Sequence, residues 1–251
     1  MTPSKQTNKS QLMIEGGRRL SRVMAQVLKL AKPGVSLQEI DQLAESLINK
    51  SNSKPSFKTV KNYSWATCLN VNQGVVHGVP NDSVLRERDL LSVDMGLFFQ
   101  GFHTDMARTI KVKSKKRKAE SEKFLQVGKK ALRKAIKMAN PGNRIGHLSQ
   151  AMEAEIKGAG YFPVKSLTGH GIGRQLHQEP SIPCLLKEEI SLTPQIKIGM
   201  ALAVEVIYTR KKTELILRDD GWTIETEDND WAGLFEDTIL VTPKGPIVLT
   251  K

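Results

Sequence analysis

Cysteine is nearly absent: the 251-residue chain holds only Cys68 and Cys184. Far apart and in no metal-ligand spacing, they exclude a disulfide-stapled scaffold and a zinc finger. Aromatic residues make up 5% of the sequence and do not interleave with its basic runs, so a base-stacking nucleic-acid surface is not expected. No apolar run reaches the roughly 18 residues that a membrane span needs. The opening residues MTPSKQTNKSQ hold no apolar segment of the secretory kind. The expectation is a cytoplasmic protein without membrane contact, with residues 1–10 a flexible tail and 11–251 a single domain.

Acidic residues are also scarce. Against 38 Lys and Arg stand 26 Asp and Glu, a formal net charge of +12, and the excess is concentrated. Lys111, Lys113, Lys115, Lys116, Arg117 and Lys118 form one run, Lys129, Lys130, Arg133, Lys134 and Lys137 a second, and Arg210-Lys211-Lys212 a third. Such runs act as solvated faces or attract a polyanion such as ribosomal RNA, and both readings stay open.

Hydrophobic residues, at 39%, suffice for a sizeable core. Leu20, Val23, Met24, Val27, Leu28 and Ala31 follow the i, i+3, i+4, i+7 rule and predict a helix over about residues 10–31, ended by Pro33-Gly34. Ser36 and Glu39 make a capping box for a second helix with Leu37, Ile40, Leu43, Ala44, Leu47 and Ile48 inside; the polar residues 49–56 read as a loop. The order then recurs. Phe124, Val127, Ala131, Leu132, Ala135 and Met138 mark a third helix, Asn140-Pro141-Gly142 stops it, and Ile145, Leu148, Met152, Ile156 and Ala159 mark a fourth. KPGVSLQEI at 32–40 lines up with NPGNRIGHL at 140–148, and strand-like sequence follows each, Trp65 to Val71 and Phe162 to Leu167. An internal duplication with halves of about 11–113 and 114–251 accounts for this, coincidental helix pairs being the alternative. Ala201 to Tyr208, Thr213 to Leu217, Trp222 to Thr226, Leu234 to Val241 and Pro246 to Leu249 then read as strands. The fold class expected is α+β, with helix pairs on one face of a curved, largely antiparallel sheet.

Four acidic residues interrupt these apolar strands. Asp94 and Asp105 flank a turn at Gln100-Gly101, while Glu205 and Glu236 break later runs of Ala, Val, Leu, Phe and Ile. Asp is depleted in strands. Any one of the four could face solvent or pair with an Arg, but together they ask for a shared cause. Two unit charges about 4 Å apart repel by about 4 kcal/mol at an effective dielectric of roughly 20, so a cation is needed between them. His170 and His177 lie in the glycine-rich TGHGIGRQLHQEP, 168–180. Two Asp, two Glu and one His form a hard, oxygen-rich donor set that suits two divalent ions, Mn, Fe, Co or Zn, and such pairs carry out hydrolysis.

VNQGVVHGVP at 71–80, VDMG and GFHTD within 93–105, GHGIGRQLHQEP at 169–180, GMALAVE at 199–205, DDGWT at 219–223 and FEDTILVT at 235–242 resemble the motifs of the short, type I methionine aminopeptidases. The resemblance runs from about residue 12 to the C-terminus. It implies the pita-bread fold with its internal pseudo-two-fold, and removal of the N-terminal methionine from nascent chains whose second residue is small. Asp105, His170, Glu205 and Glu236 would ligate one metal and Asp94, Asp105 and Glu236 the other, with a bridging hydroxide attacking the scissile carbonyl. His177 would stabilise the tetrahedral intermediate, His77 would contact the substrate near the scissile amide, and Glu205 would also shuttle a proton. Tyr63, Cys68, Leu176 and Trp222 would line the methionine pocket. His103 and His147 match no functional position.

Three positions depart from the family pattern. Leu176 stands in place of a frequent aromatic, Val206 in place of a proline after Glu205, and Asp237 in place of a histidine after Glu236. The extra carboxylate is expected to attract metal or to raise neighbouring pKa values. A monomer is expected. The competing readings are an X-Pro peptidase, disfavoured by the HGVP and DGWT motifs, and a non-catalytic scaffold that uses its basic surface on ribosomes, disfavoured by the complete ligand set.

Overall fold

Successive side chains of the long strands point to opposite faces of the sheet, and that alternation assigns each face its task. The computed structural model describes residues 3–113 and 119–251; Met1, Thr2 and the basic run Lys115, Lys116, Arg117 and Lys118 lie outside the described residues. In chain order the elements of the first half are α1 (Pro3–Leu30), α2 (Leu37–Lys50), β1 (Lys54–Pro55), β2 (Thr67–Val71), β3 (Gly74–Val76), β4 (Leu90–Phe99) and β5 (Phe102–Lys111). The second half comprises α3 (Ala119–Met138), α4 (Ile145–Gly158), β6 (Phe162–Pro163), β7 (Thr168–Gly171), β8 (Gln178–Pro183), β9 (Ala201–Thr209), β10 (Leu215–Leu217), β11 (Ile224–Thr226), β12 (Ala232–Thr242) and β13 (Gly245–Val248).

The main sheet runs β1-β4-β5-β12-β9-β7-β8, with β2 also on β4, β6 also on β9 and β13 on β12. Every ladder is antiparallel. The duplication read from the sequence is present in the topology: β1 and β2 share one edge of β4 as β6 and β7 share one edge of β9, and the pseudo-two-fold passes between β5 and β12. Even the helix starts match. Ser36 bridges to Val84 before α2, and Arg144 bridges to Gln195 before α4. The capping box at Ser36 and Glu39 forms as expected, and its counterpart uses His147, whose Nδ1 accepts the Arg144 N–H at 3.0 Å. That is a structural role for His147, in keeping with the sequence reading.

Each half buries its own core. Leu91, Val93, Met95, Leu97 and Phe99 of β4 face α1 and α2, whereas Leu202, Val204, Val206 and Tyr208 of β9 and Phe235 and Ile239 of β12 face α3 and α4. The intervening residues, Asp94, Glu205 and Glu236 among them, therefore point away from the helices. At the β4–β5 turn, Gln100 and Gly101 both have positive φ, 45° and 88°, as a type I′ hairpin requires.

Two boundaries differ from the sequence expectation. Helix α1 begins at Pro3 rather than near residue 10; proline is compatible with the first helical turn, and the polar stretch after it carries no apolar period to reveal the start. Within the expected loop, Lys54 and Pro55 pair with Phe98 and Leu97, a strand too short to show alternation.

Helix α3 approaches the sheet closely at Gly128. A Cβ there would lie 2.5 Å from the Phe235 ring and 2.7 Å from that of Tyr208, while the Tyr208 hydroxyl donates to the Phe124 carbonyl at 2.6 Å. Gly128→Ala is expected to cost about 1–3 kcal/mol through overpacking, read as a lower urea midpoint; an unchanged midpoint would contradict this contact.

Candidate metal centre

Register lines up the acidic residues across four strands. Asp94 stands opposite Ala107, Ala107 opposite Glu236, and Glu236 opposite Glu205. Asp105, two residues from Ala107 on the same face, is opposite Gly96, and His170 is opposite Ala203. The β5–β12 ladder is recorded through Asp237, and beyond it the Thr238 side chain takes over: its Oγ1 accepts the Asp105 N–H at 2.8 Å and donates to the Asp105 carbonyl at 2.7 Å. The backbone that carries Asp105 is thereby fixed to the strand that carries Glu236.

Ligand atoms of Asp105, His170 and Glu236 lie within 4.8 Å of one another. Glu205 Oε1 is 3.5 Å from His170 Nε2. The other ring nitrogen, Nδ1, is 2.9 Å from the Gly171 carbonyl, which assigns the proton to Nδ1 and leaves an Nε2 lone pair toward the carboxylates. Asp94 Oδ1, Asp105 Oδ1 and Glu236 Oε1 are buried with no hydrogen-bond partner. Among the described residues no Lys or Arg is ion-paired with any of the four acids. Unpartnered carboxylate oxygens beside a neutral imidazole are what a divalent cation would satisfy, so the residues present fit a metal.

Electrostatics leads to the same conclusion. Burial raises Glu205 and Glu236 well above the carboxylate range, with the charge of Asp105 as the next cause for both. Asp94 is likewise raised, by burial and then by Asp105 and Glu205, and burial pushes Asp105 up to about 7 against the opposing Met106 N–H. Burial pushes His170 down to about 4 and lowers His177 and His77. The cluster thus discourages its own negative charge wherever no cation is bound.

Every residue that the sequence nominated lines one cavity of about 150 Å³: Asp94, Asp105, His170, Glu205 and Glu236 on one side, Tyr63, Cys68, Leu176 and Trp222 on another, with His77 and His177. The His177 ring stands 4.5 Å from that of His170, edge to face. Tyr63 packs edge-on against Trp222, centroids 5.1 Å apart, and its hydroxyl lies 2.8 Å from the Thr67 carbonyl and 3.2 Å from Cys68 Sγ. Phe57, Val60 and Val76 complete the lining; the sequence reading missed them, although Phe57 and Val60 are apolar residues in an otherwise polar stretch. His77 adopts φ +57°, a left-handed conformation that costs on the order of 1–3 kcal/mol for a residue with a side chain.

Asp237 does not join the cluster. Strand alternation turns it to the helix side, where its Oδ1 accepts from Arg108 Nη2 at 2.6 Å and from Thr250 Oγ1 at 2.7 Å. Arg108 Nη1 also donates to the Glu236 carbonyl at 2.5 Å. Of the two expected effects, metal attraction is not the role of this carboxylate, which is paired with Arg108; a raised neighbouring pKa is present, Asp237 being the smallest of the causes that raise Glu236. Val206 belongs to the helix-side core, so the lost proline leaves the cavity lining unchanged. His103 is buried, with Nδ1 2.9 Å from Ser56 Oγ and its ring 4.5 Å from that of Phe98, a packing role as expected.

An inward row of carboxylates with one imidazole, lining one side of a cavity whose other side is largely apolar, defines a metallohydrolase. The family model described as metallopeptidase family M24 matches residues 11–243, and the chain belongs to that family. Within it the chain sits with the methionine aminopeptidases on the pita-bread fold. It is 35% identical to the methionine aminopeptidase of Aquifex aeolicus, covering 96% of this chain and 97% of that one. With that of Clostridium perfringens it shares 32% identity over 98% and 97% of the two chains. The solved methionine aminopeptidase of Thermotoga maritima superposes with a TM-score of 0.93 at 33% identity, covering 100% and 98% of the respective chains. Membership implies divalent-metal use. Among the described residues no helix is long and apolar enough to cross a membrane.

Asp105 titrates near 7 in the fold and near 3.8 when unfolded. A raised folded pKa gives stability that is full below the unfolded value and is lost as pH rises through the folded one. The buried histidines, whose lowered pKa values cost stability toward pH 5, act in the opposite sense, so the Asp105 contribution is read against Asp105→Asn, which keeps those histidines. From pH 5 to pH 8 the metal-free parent is expected to lose more melting temperature than the variant, and a divalent cation should restore the parent's loss at pH 8 with release of protons. An equal or larger loss in Asp105→Asn over that interval would contradict the assignment.

Proposed function

We propose that the chain is a dinuclear metal-dependent aminopeptidase that hydrolyses the N-terminal methionine from peptides and nascent chains with a small second residue. The observation that carries this is the convergence of all the nominated ligands, both accessory histidines and the apolar pocket on one cavity. Asp105, His170, Glu205 and Glu236 would hold one ion and Asp94, Asp105 and Glu236 the second. Two such ions, Mn, Fe, Co or Zn, lower the pKa of water and polarise a carbonyl.

The chain's own residues do the rest. His177, exposed on the cavity rim and with a lowered pKa, is neutral at pH 7 and donates a hydrogen bond to the scissile carbonyl oxygen as negative charge develops there. His77, also on the rim, holds the substrate near the scissile amide. Glu205 moves a proton from the attacking water to the departing amine. Tyr63, Cys68, Leu176 and Trp222 enclose the unbranched thioether, for which a protonated thiol and aromatic edges are compatible neighbours. Burial holds the Cys68 thiol well above its usual pKa, so it is neutral and does not compete as a nucleophile. Leu176, smaller than an aromatic, leaves the pocket looser.

The enzyme would act as a cytoplasmic monomer, near ribosomes where its basic runs meet RNA. Part of this charge is compensated within the fold: Lys130 and Lys134 of α3 are engaged by Glu155 at 2.9 and 2.5 Å, Arg210 by Glu120 and Asp230, and Lys211 by Asp230.

Protein loaded with Mn(II) or Co(II) is expected to release methionine from Met-Ala-Ser at neutral pH and to lose this activity to a chelator; an uncut peptide contradicts the function. Asp105→Ala should lose both ions and all activity, whereas Asp94→Ala should mainly weaken one site. Metal analysis of the dialysed variants checks this, and two tightly bound ions in Asp105→Ala would overturn the bridging role.

A further inference from the structure

His77 reaches the cavity from a strained left-handed backbone, φ +57°, and something has to hold it there. The residues that follow it are gripped. Gly78 donates its N–H to Asn70 Oδ1 at 2.9 Å in a buried hydrogen bond, and its carbonyl accepts the Leu69 N–H at 2.8 Å. A Cβ at position 78 would fall 2.2 Å from the Leu69 carbonyl oxygen, so this close approach admits only glycine. One residue further, the Val79 N–H donates to Thr223 Oγ1 at 3.1 Å. Thr223 is fixed in turn by Asp220, which accepts its hydroxyl at 2.6 Å and the Trp222 N–H at 2.9 Å.

Asn70 itself is 2% exposed, and its Nδ2 is buried without a partner. An apolar side chain would fill this place without stranding a donor, so the acceptor oxygen is the feature that matters. We infer that Asn70 is a positioning residue for His77: its amide oxygen clamps the Gly78 N–H and thereby holds the strained His77 with its imidazole at the cavity. The inference rests on the substrate-contact role given to His77 above, and the Asp220–Thr223 link supports the arm from its other side.

A double-mutant cycle on the metal-loaded enzyme with Met-Ala-Ser tests it. Asn70→Ala is expected to lose about tenfold in kcat, the scale of one buried hydrogen bond, with little change in KM. Asn70→Asp, which keeps an acceptor at the same reach, should recover most of the loss, and Asn70→Val, which has no acceptor but fills more of the site, substitutes for the alanine variant if that one fails to fold. In a His77→Ala background the Asn70 change should have no further effect. Full activity of Asn70→Ala, or the same loss with and without His77, would overturn the inference. The crystal structure of Asn70→Ala tests the same point without turnover: residue 77 should leave the left-handed region, and an unmoved His77 overturns the proposal. A parent enzyme that leaves the peptide uncut would count against the function alone.

Discussion

Charge compensation governs this molecule. Asp94, Asp105, Glu205 and Glu236 converge on one face of one sheet with no Lys or Arg paired to them among the described residues, and burial alone pushes Asp105 up to about 7. A carboxylate deprived of water and of a partner gives up its charge or acquires a cation. The surrounding structure favours the cation: His170 is kept neutral with its proton on the Gly171 side, and Thr238 ties the Asp105 backbone to β12. The one additional carboxylate nearby, Asp237, is turned to the opposite face and neutralised by Arg108. What remains inside is a donor set that needs metal to be both folded and ionised.

The pseudo-two-fold explains how a chain arrives at such a set. Asp94 and Glu205 occupy the equivalent strands β4 and β9, and Asp105 and Glu236 the equivalent central strands β5 and β12, so each half supplies one acid from each of its two long strands. Symmetry is broken one strand further out. On β7 the position beside the cluster is His170, opposite Ala203, whereas on β2 it is Cys68, opposite Asp94. One side therefore adds an imidazole to the acid cluster and the other a thiol-bearing wall. A near-symmetric scaffold thus yields an asymmetric site.

Much of this is legible in the sequence because it is local or periodic. Helical period identifies α2, α3 and α4, Pro-Gly repeats mark the duplication, and acids in apolar strands are conspicuous because four of them together ask for a shared cause. The features that escape such reading are long-range. Thr238 acts on Asp105 across 133 residues and Thr223 on Val79 across 144, separations that leave no local pattern. Asn70 looks like an ordinary polar residue in a strand until the left-handed His77 gives its amide oxygen a purpose. Asp237 misleads for the converse reason: its type is legible, but the partner that decides its charge, Arg108, lies on a different strand.

If charge compensation is the governing constraint, the buried acid cluster takes up divalent cations, two on the ligand assignment proposed above. Anomalous diffraction at the manganese edge from crystals equilibrated with Mn(II) tests this most directly. Two peaks are expected, one contacted by Asp94, Asp105 and Glu236 and the other by Asp105, His170, Glu205 and Glu236. No anomalous density between these side chains, with the metal bound elsewhere on the surface, would contradict it.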